Sequence, residues 1–113
     1  MPNVKHSPKP RELFEENREA FNQAVADGKT ADFSNQNLSD LDLIGFNLRN
    51  ANLSGAYMKG ANLSGVDLSE ACLHGASIKS ARISGCMFPM DLSAEEIRLS
   101  VEKGSRIRHP RKQ

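Results

Sequence analysis

From Ala31 to Met90 the apolar positions recur every five residues. The segment reads ADFSN QNLSD LDLIG FNLRN ANLSG AYMKG ANLSG VDLSE ACLHG ASIKS ARISG CMFPM, twelve units without insertion or deletion. The third residue of every unit is apolar: Phe33, Leu38, Leu43, Leu48, Leu53, Met58, Leu63, Leu68, Leu73, Ile78, Ile83 and Phe88. The first residue is apolar and mostly small, with Gln36 as the exception, so 23 of 24 such positions are apolar. Random placement at 38% hydrophobic content would fill about nine of them. Positions one and three share a face and position two points the other way, as in a strand. Positions four and five carry Ser, Gly, Asn, Asp or Lys, the residues of turns. A short extended piece followed by a turn, repeated in register, coils the chain. No unit can bury its own apolar face, so the units must stack into a solenoid.

Ala51-Asn52-Leu53-Ser54-Gly55 and Ala61-Asn62-Leu63-Ser64-Gly65 match A(D/N)LXX in full, and the segment resembles the pentapeptide-repeat family over 60 of 113 residues. The resemblance implies an all-β solenoid, a right-handed quadrilateral β-helix with four units per coil and three coils here. Residues twenty apart then stack, giving inner columns Phe33/Leu53/Leu73, Leu38/Met58/Ile78, Leu43/Leu63/Ile83 and Leu48/Leu68/Phe88. The expected core positions are Leu38, Leu43, Leu48, Leu53, Met58, Leu63, Leu68, Leu73, Ile78 and Ile83. Ala at the first positions fits between these larger side chains. An interior of Ala and Leu accounts for an aromatic content of only 5%.

A β-helix has an open edge at each end that must be covered. Over 11–28, Leu13, Phe14, Phe21, Ala24 and Val25 recur at near-helical spacing before Gly28, which predicts an amphipathic capping helix. Leu41 and Phe46, bulky where later coils are small, are expected to fill the gap beneath it. Ser93 followed by Glu96 reads as a capping box, with Leu92 and Ile97 as a hydrophobic staple, and predicts a short helix within 91–104 that stops at Gly104. Ile97, Leu99 and Val101 are candidates for self-association, because the family resemblance implies frequent dimerisation through the C-terminal end; monomer and homodimer both stay open. The whole chain, 1–113, is then a single domain: flexible basic tail 1–10, helix 11–28, repeats 31–90, helix 91–104 and flexible basic tail 105–113.

Net charge is +1, but this is an average of unlike parts. Residues 1–11 and 105–113 carry seven bases and no acid, whereas residues 12–104 sum to −6. The tails are candidates for contact with nucleic acid or another polyanion. The repeats themselves carry five acids and four bases. Some family members mimic DNA to inhibit or protect gyrase; nearly neutral faces on a rod of about 14 Å, roughly four base pairs long, argue against that role here. There is no apolar run of spanning length and no apolar leader at the N-terminus, and two cysteines without a CxxC point to reduced thiols, so a cytoplasmic protein is expected.

No nucleophile–base–acid set is visible, and His6, His74 and His109 lie in different regions. Cys72 and His74 flank inward Leu73 and point outward together, but no third metal ligand accompanies them. Neither enzyme activity nor a metal, cofactor or small-molecule substrate is expected. On one outer face the columns Asn37/Tyr57/Ser77 and Ser39/Lys59/Lys79 place Tyr57 beside two lysines. The candidate partner contacts are therefore Tyr57, Lys59 and Lys79, with Arg106, Arg108, Arg111 and Lys112 from the tail. The expected role is a non-enzymatic scaffold for protein–protein interaction, with a tail-docked polyanion adaptor as the alternative.

Overall fold

The computed structural model describes residues 18–109. Isolated parallel bridges join residues twenty apart, Asp32–Asn52–Cys72, Asn37–Tyr57–Ser77, Asp42–Asn62–Arg82 and Asp67–Met87. Twenty residues therefore make one turn of a solenoid, and 31–50, 51–70 and 71–90 are its three coils, each with four five-residue sides. Each side straightens for about three residues before turning, so a single bridge at position two is all the ladder that forms there. The register is carried by backbone bonds such as Leu53 N–H to Cys72 O (2.9 Å) and Cys72 N–H to Ala51 O (3.1 Å).

Two local devices explain the repeat motif. The Asn or Asp at position two turns its Oδ1 back to accept the position-four amide, as in Asp32 to Ser34 (3.0 Å), Asn52 to Ser54 (3.0 Å) and Asp67 to Ser69 (2.9 Å). This Asx cap satisfies a donor that the three-residue strand leaves over. At position five the backbone takes positive φ on the first three sides of every coil, including the non-glycine residues Asn35, Asp40 and Ser80. That is the third residue of a type II turn, where glycine is least strained. The fourth side ends in Asn50, Glu70 or Met90, and none of these has positive φ. The fourth corner is a different turn, which is why glycine is missing there. At Gly55 a side chain would also collide with that of Asn35 in the coil below.

The interior is a stack of the third-position side chains. Phe33, Leu38, Leu43, Leu48, Leu53, Met58, Leu63, Leu68, Leu73 and Ile78 are all at most 1% exposed, with alanines packed between. Ile83 departs from the expected core: it is half-buried, as are Cys86 and Phe88, because nothing among the described residues stacks squarely on these last two sides.

Helix α1, Arg18–Ala26, covers the first coil. Phe21 is its plug, with ring centroids 5.9 Å from Phe33 and 5.6 Å from Phe46. Gly28 at φ 95° ends the helix; Gly28 N–H bonds Val25 O and Lys29 N–H bonds Ala24 O, a Schellman closure. The remainder of the expected helix, with Leu13 and Phe14, lies outside the described residues, as does the tail 1–10. Asn22 grips the coil, donating to Gly45 O (2.8 Å) and accepting from Asn47 N–H (2.7 Å). Asn47 makes no bridge to the coil above, so the ladder begins one coil later on the fourth side.

Helix α2, Ala94–Lys103, starts at Ser93, whose Oγ accepts from Glu96 N–H (3.1 Å), and ends at Gly104 in the left-handed region. The other half of the expected capping box is absent. Glu96 instead gives its carboxylate to Arg108, accepting from its backbone N–H (2.9 Å) and from Nε (3.0 Å) and Nη2 (2.7 Å).

The largest departure lies beyond α2. Residues 105–109, expected as flexible tail, run back over the third coil antiparallel to it. Ile107 is 1% exposed, donates to Ala76 O (2.8 Å) and accepts from Gly75 N–H (2.7 Å). His109 is buried; its Nδ1 takes the Leu73 N–H (3.4 Å) and its Nε2 meets Asp91 Oδ1 (2.8 Å). Ile107 and His109 face inward while Arg106 and Arg108 face out, the alternation of an edge strand.

The clamp between Glu96 and Arg108 gives this capping strand a pH dependence. Hydrogen bonds from the Arg108 side chain, then its backbone N–H, then its charge hold the Glu96 carboxyl below its ordinary value of 4.5. A carboxylate with a lowered folded-state pKa stabilises fully above its unfolded value and loses that contribution as pH falls through the folded one. Docking of 105–109 is therefore expected to weaken on acidification below about pH 4.5. Loss of amide protection at Gly75 on acidification, reduced in Glu96→Gln, is the measurement; an unchanged profile in that variant would assign the effect elsewhere.

Candidate interaction surface

The bridged column Asn37–Tyr57–Ser77 lies on the second side, and Tyr57 stands out from it, 46% exposed. Its ring is not bare. The guanidinium of Arg106 lies over it, 4.7 Å from the centroid, and donates through Nη1 to Gly75 O (2.6 Å) and through Nη2 to the Tyr57 hydroxyl. Stacking and hydrogen bonding together hold both planes in one orientation. Lys79 leans against the end of α2, its Nζ 3.4 Å from Glu102 O, and Lys59 stays exposed with no polar partner among the described residues. Arg106, expected in a flexible tail apart from the Tyr57/Lys59/Lys79 face, is thus brought onto Tyr57. Arg108 is drawn away by Glu96, and Arg111 and Lys112 lie outside the described residues.

The self-association candidates divide. Ile97 and Val101 pack on the core from one face of α2, while Leu99 is half-buried on another. Ser100 was not picked out by its sequence position, yet it is fully buried and its Oγ accepts from Ile78 N–H (3.0 Å). His109 was likewise passed over. Its inward turn is legible only in the period-two pattern Arg106-Ile107-Arg108-His109, which the count of positive charges obscures.

Cys72 sits next to Ser54, Sγ to Oγ 2.9 Å, and His74 is exposed. The described residues contain no group of three or more His, Cys, Asp or Glu able to hold a metal ion. Burial, with a smaller push from the charge of Asp67, raises the Cys86 thiol to about 12, so at neutral pH it is a protonated apolar filler rather than a nucleophile. Between the last two sides and α2 runs an apolar groove of about 430 Å3, lined by Ile83, Cys86, Phe88, Ala94, Ile97 and Val101. Among the described residues no helix is long and apolar enough to cross a membrane.

The family model for pentapeptide repeats matches residues 30–65 and 47–85, in eight copies. This chain is a pentapeptide-repeat protein. The unit 86–90, the last of the twelve, falls beyond the matched residues, in keeping with its Pro89 and its half-open position. Among solved structures, the chain is similar to HetL, a pentapeptide-repeat protein involved in heterocyst differentiation regulation from the cyanobacterium Nostoc sp. strain PCC 7120, at 28% identity and a TM-score of 0.32. The match covers 57% of this chain and 35% of HetL, so the chain spans about a third of that protein's length. A comparison with curated proteins gives no match.

Proposed function

We propose that this pentapeptide-repeat protein is a non-enzymatic, cytoplasmic scaffold, a right-handed four-sided β-helix that binds another protein through its outer columns. The observation that supports it is the Tyr57–Arg106 platform. Tyr and Arg are enriched where interfaces gain most of their energy, and a pair already held in place loses little side-chain freedom on binding. The position-two Asn and Asp side chains from Asp32 to Asp67 are engaged in capping their own turns, which leaves fewer of their groups to hold a small substrate. The alternative, tail-mediated docking on a polyanion, is weakened by the same geometry. Arg108 is paired with Glu96, and two of the Arg106 N–H donors are engaged by Tyr57 and Gly75.

Cross-linked pull-down of the full chain from its native cell is the test, beside Tyr57→Ala and Arg106→Ala. A reproducible protein partner that both substitutions weaken about tenfold is expected. Recovery of nucleic acid in a salt-sensitive manner, or a partner indifferent to both changes, would overturn the reading.

A further inference from the structure

Among the described residues, the amides on the upper edge of the third coil are covered on two sides and uncovered on the other two. Within the stack, a side that ends in a positive-φ turn offers the next coil up to two amides and one carbonyl, and the fourth side of the second coil offers one of each. On the third side of the second coil these are Leu63 N–H to Arg82 O (2.8 Å), Gly65 N–H to Ser84 O (2.9 Å) and Ala61 O from Arg82 N–H (2.9 Å). On the first two sides of the third coil the corresponding amides are all taken. Leu73 meets His109, Gly75 meets Ile107, Ile78 meets Ser100 Oγ, and Ser80 meets Val101 O. On the last two sides the amides of Ile83, Gly85 and Phe88 and the carbonyls of Ala81 and Cys86 find no partner among the described residues. This open row borders the 430 Å3 apolar groove, and Met87 (51%) and Met90 (101%) stand exposed beside it.

We infer that this edge is a docking site for an extended peptide of a partner protein, which adds as one more strand over the third and fourth sides. The inference rests on the protein-binding reading above and gives it a second place and a mode. Free amides at 83 and 85, two residues apart, match the backbone repeat of a strand. The groove, lined by Ile83, Phe88, Ile97 and Val101, then takes the strand's inward apolar side chains. Ile107 shows the arrangement within the chain itself: one aliphatic residue, polar neighbours turned outward, and backbone bonds to the coil edge. A polyanion does not fit. The cation at the groove, Arg98, is already held by Glu95 (2.6 Å) and Glu102 (2.9 Å). The helical end of a second copy does not fit well either, because helix backbone groups are already bonded to one another.

The test is amide hydrogen exchange and NMR titration of the full chain with a capped decapeptide of the sequence of residues 61–70, the strand pair that these sides stack upon. In the free protein, Ile83, Gly85 and Phe88 are expected to exchange at least tenfold faster than their counterparts Leu63, Gly65 and Leu68. Saturating peptide should slow all three at least tenfold and shift Ile97 and Val101. A peptide N-methylated at the position of Asn62, which cannot donate to Ala81 O, should lose at least tenfold in affinity. No shifts at millimolar peptide would overturn the inference, and so would equal binding by the N-methylated peptide. Protection already present in the free protein, with dimer mass by light scattering, would assign the edge to a second copy. A Tyr57-dependent partner recovered alongside an inert edge would leave the scaffold reading standing and this inference refuted.

Discussion

Leu53→Ala is expected to lower the unfolding free energy by about 2–5 kcal/mol, toward the upper end of that range. Leu53 is fully buried in the middle coil, between Phe33 (1% exposed) below and Leu73 (0%) above. The cost of such a truncation depends on how far the surroundings can close on the cavity. Here they are held apart. Phe33 N–H bonds Asn52 O at 2.8 Å and Leu53 N–H bonds Cys72 O at 2.9 Å, so the backbone spacing is set by bonds that would break if the coils collapsed. A middle coil also carries both inter-coil interfaces of a three-coil solenoid, so its loss uncouples the two ends. Urea unfolding of the variant beside the parent measures the effect. Ile83→Ala, at a half-open site, should cost distinctly less. A loss below about 1 kcal/mol for Leu53→Ala would show that the coils close the gap despite their ladder.

Ile107→Asp is expected to release the capping strand, with a loss of about 2–4 kcal/mol in protection at Leu73 and Gly75. The wild-type side chain is 1% exposed, and its backbone bonds both Gly75 and Ala76. A carboxylate there cannot reach Arg106 or Arg108, which point away, so the strand undocks rather than bury it. Undocking limits the penalty to the free energy of docking, and the effect should be regional, largest at the edge it covered and smaller in the coils below. It should also free Arg106 from Tyr57, so affinity for a partner that reads that pair falls with it. Hydrogen exchange resolved by residue is the measurement. Unchanged exchange at Leu73 and Gly75 would mean that 105–109 behaves as a simple tail.

How much of this was legible in the sequence differs between the middle of the chain and its ends. The repeats were readable because each unit repeats one local problem. A strand of about three residues, an Asx cap and a positive-φ turn are all set by residues within the unit, and similar units in register stack on one another. The α2 boundaries were readable for the same reason, since Ser93 and Gly104 act on their own helix. Glu96 shows the limit: its spacing to Ser93 is that of a capping box, yet a charged partner twelve residues away holds it instead. Residues 105–109 were obscured by composition, because two arginines read as solvated charge until Ile107 and His109 are seen on the other face.

The sequence by itself determined a five-residue repeat that must stack as a solenoid, an Ala/Leu interior and helix signals at both ends, because these follow from local chemistry repeated in register; four units per coil came from the family resemblance. Only the tertiary structure decided which edge groups are covered. Whether Leu73 N–H meets His109, Ile78 N–H meets Ser100 or Ile83 N–H meets no partner among the described residues depends on the path the chain takes back over its own end. That path is chosen by pairings between residues twenty to forty positions apart, such as Leu73 with His109 and Ile78 with Ser100. No local pattern encodes them.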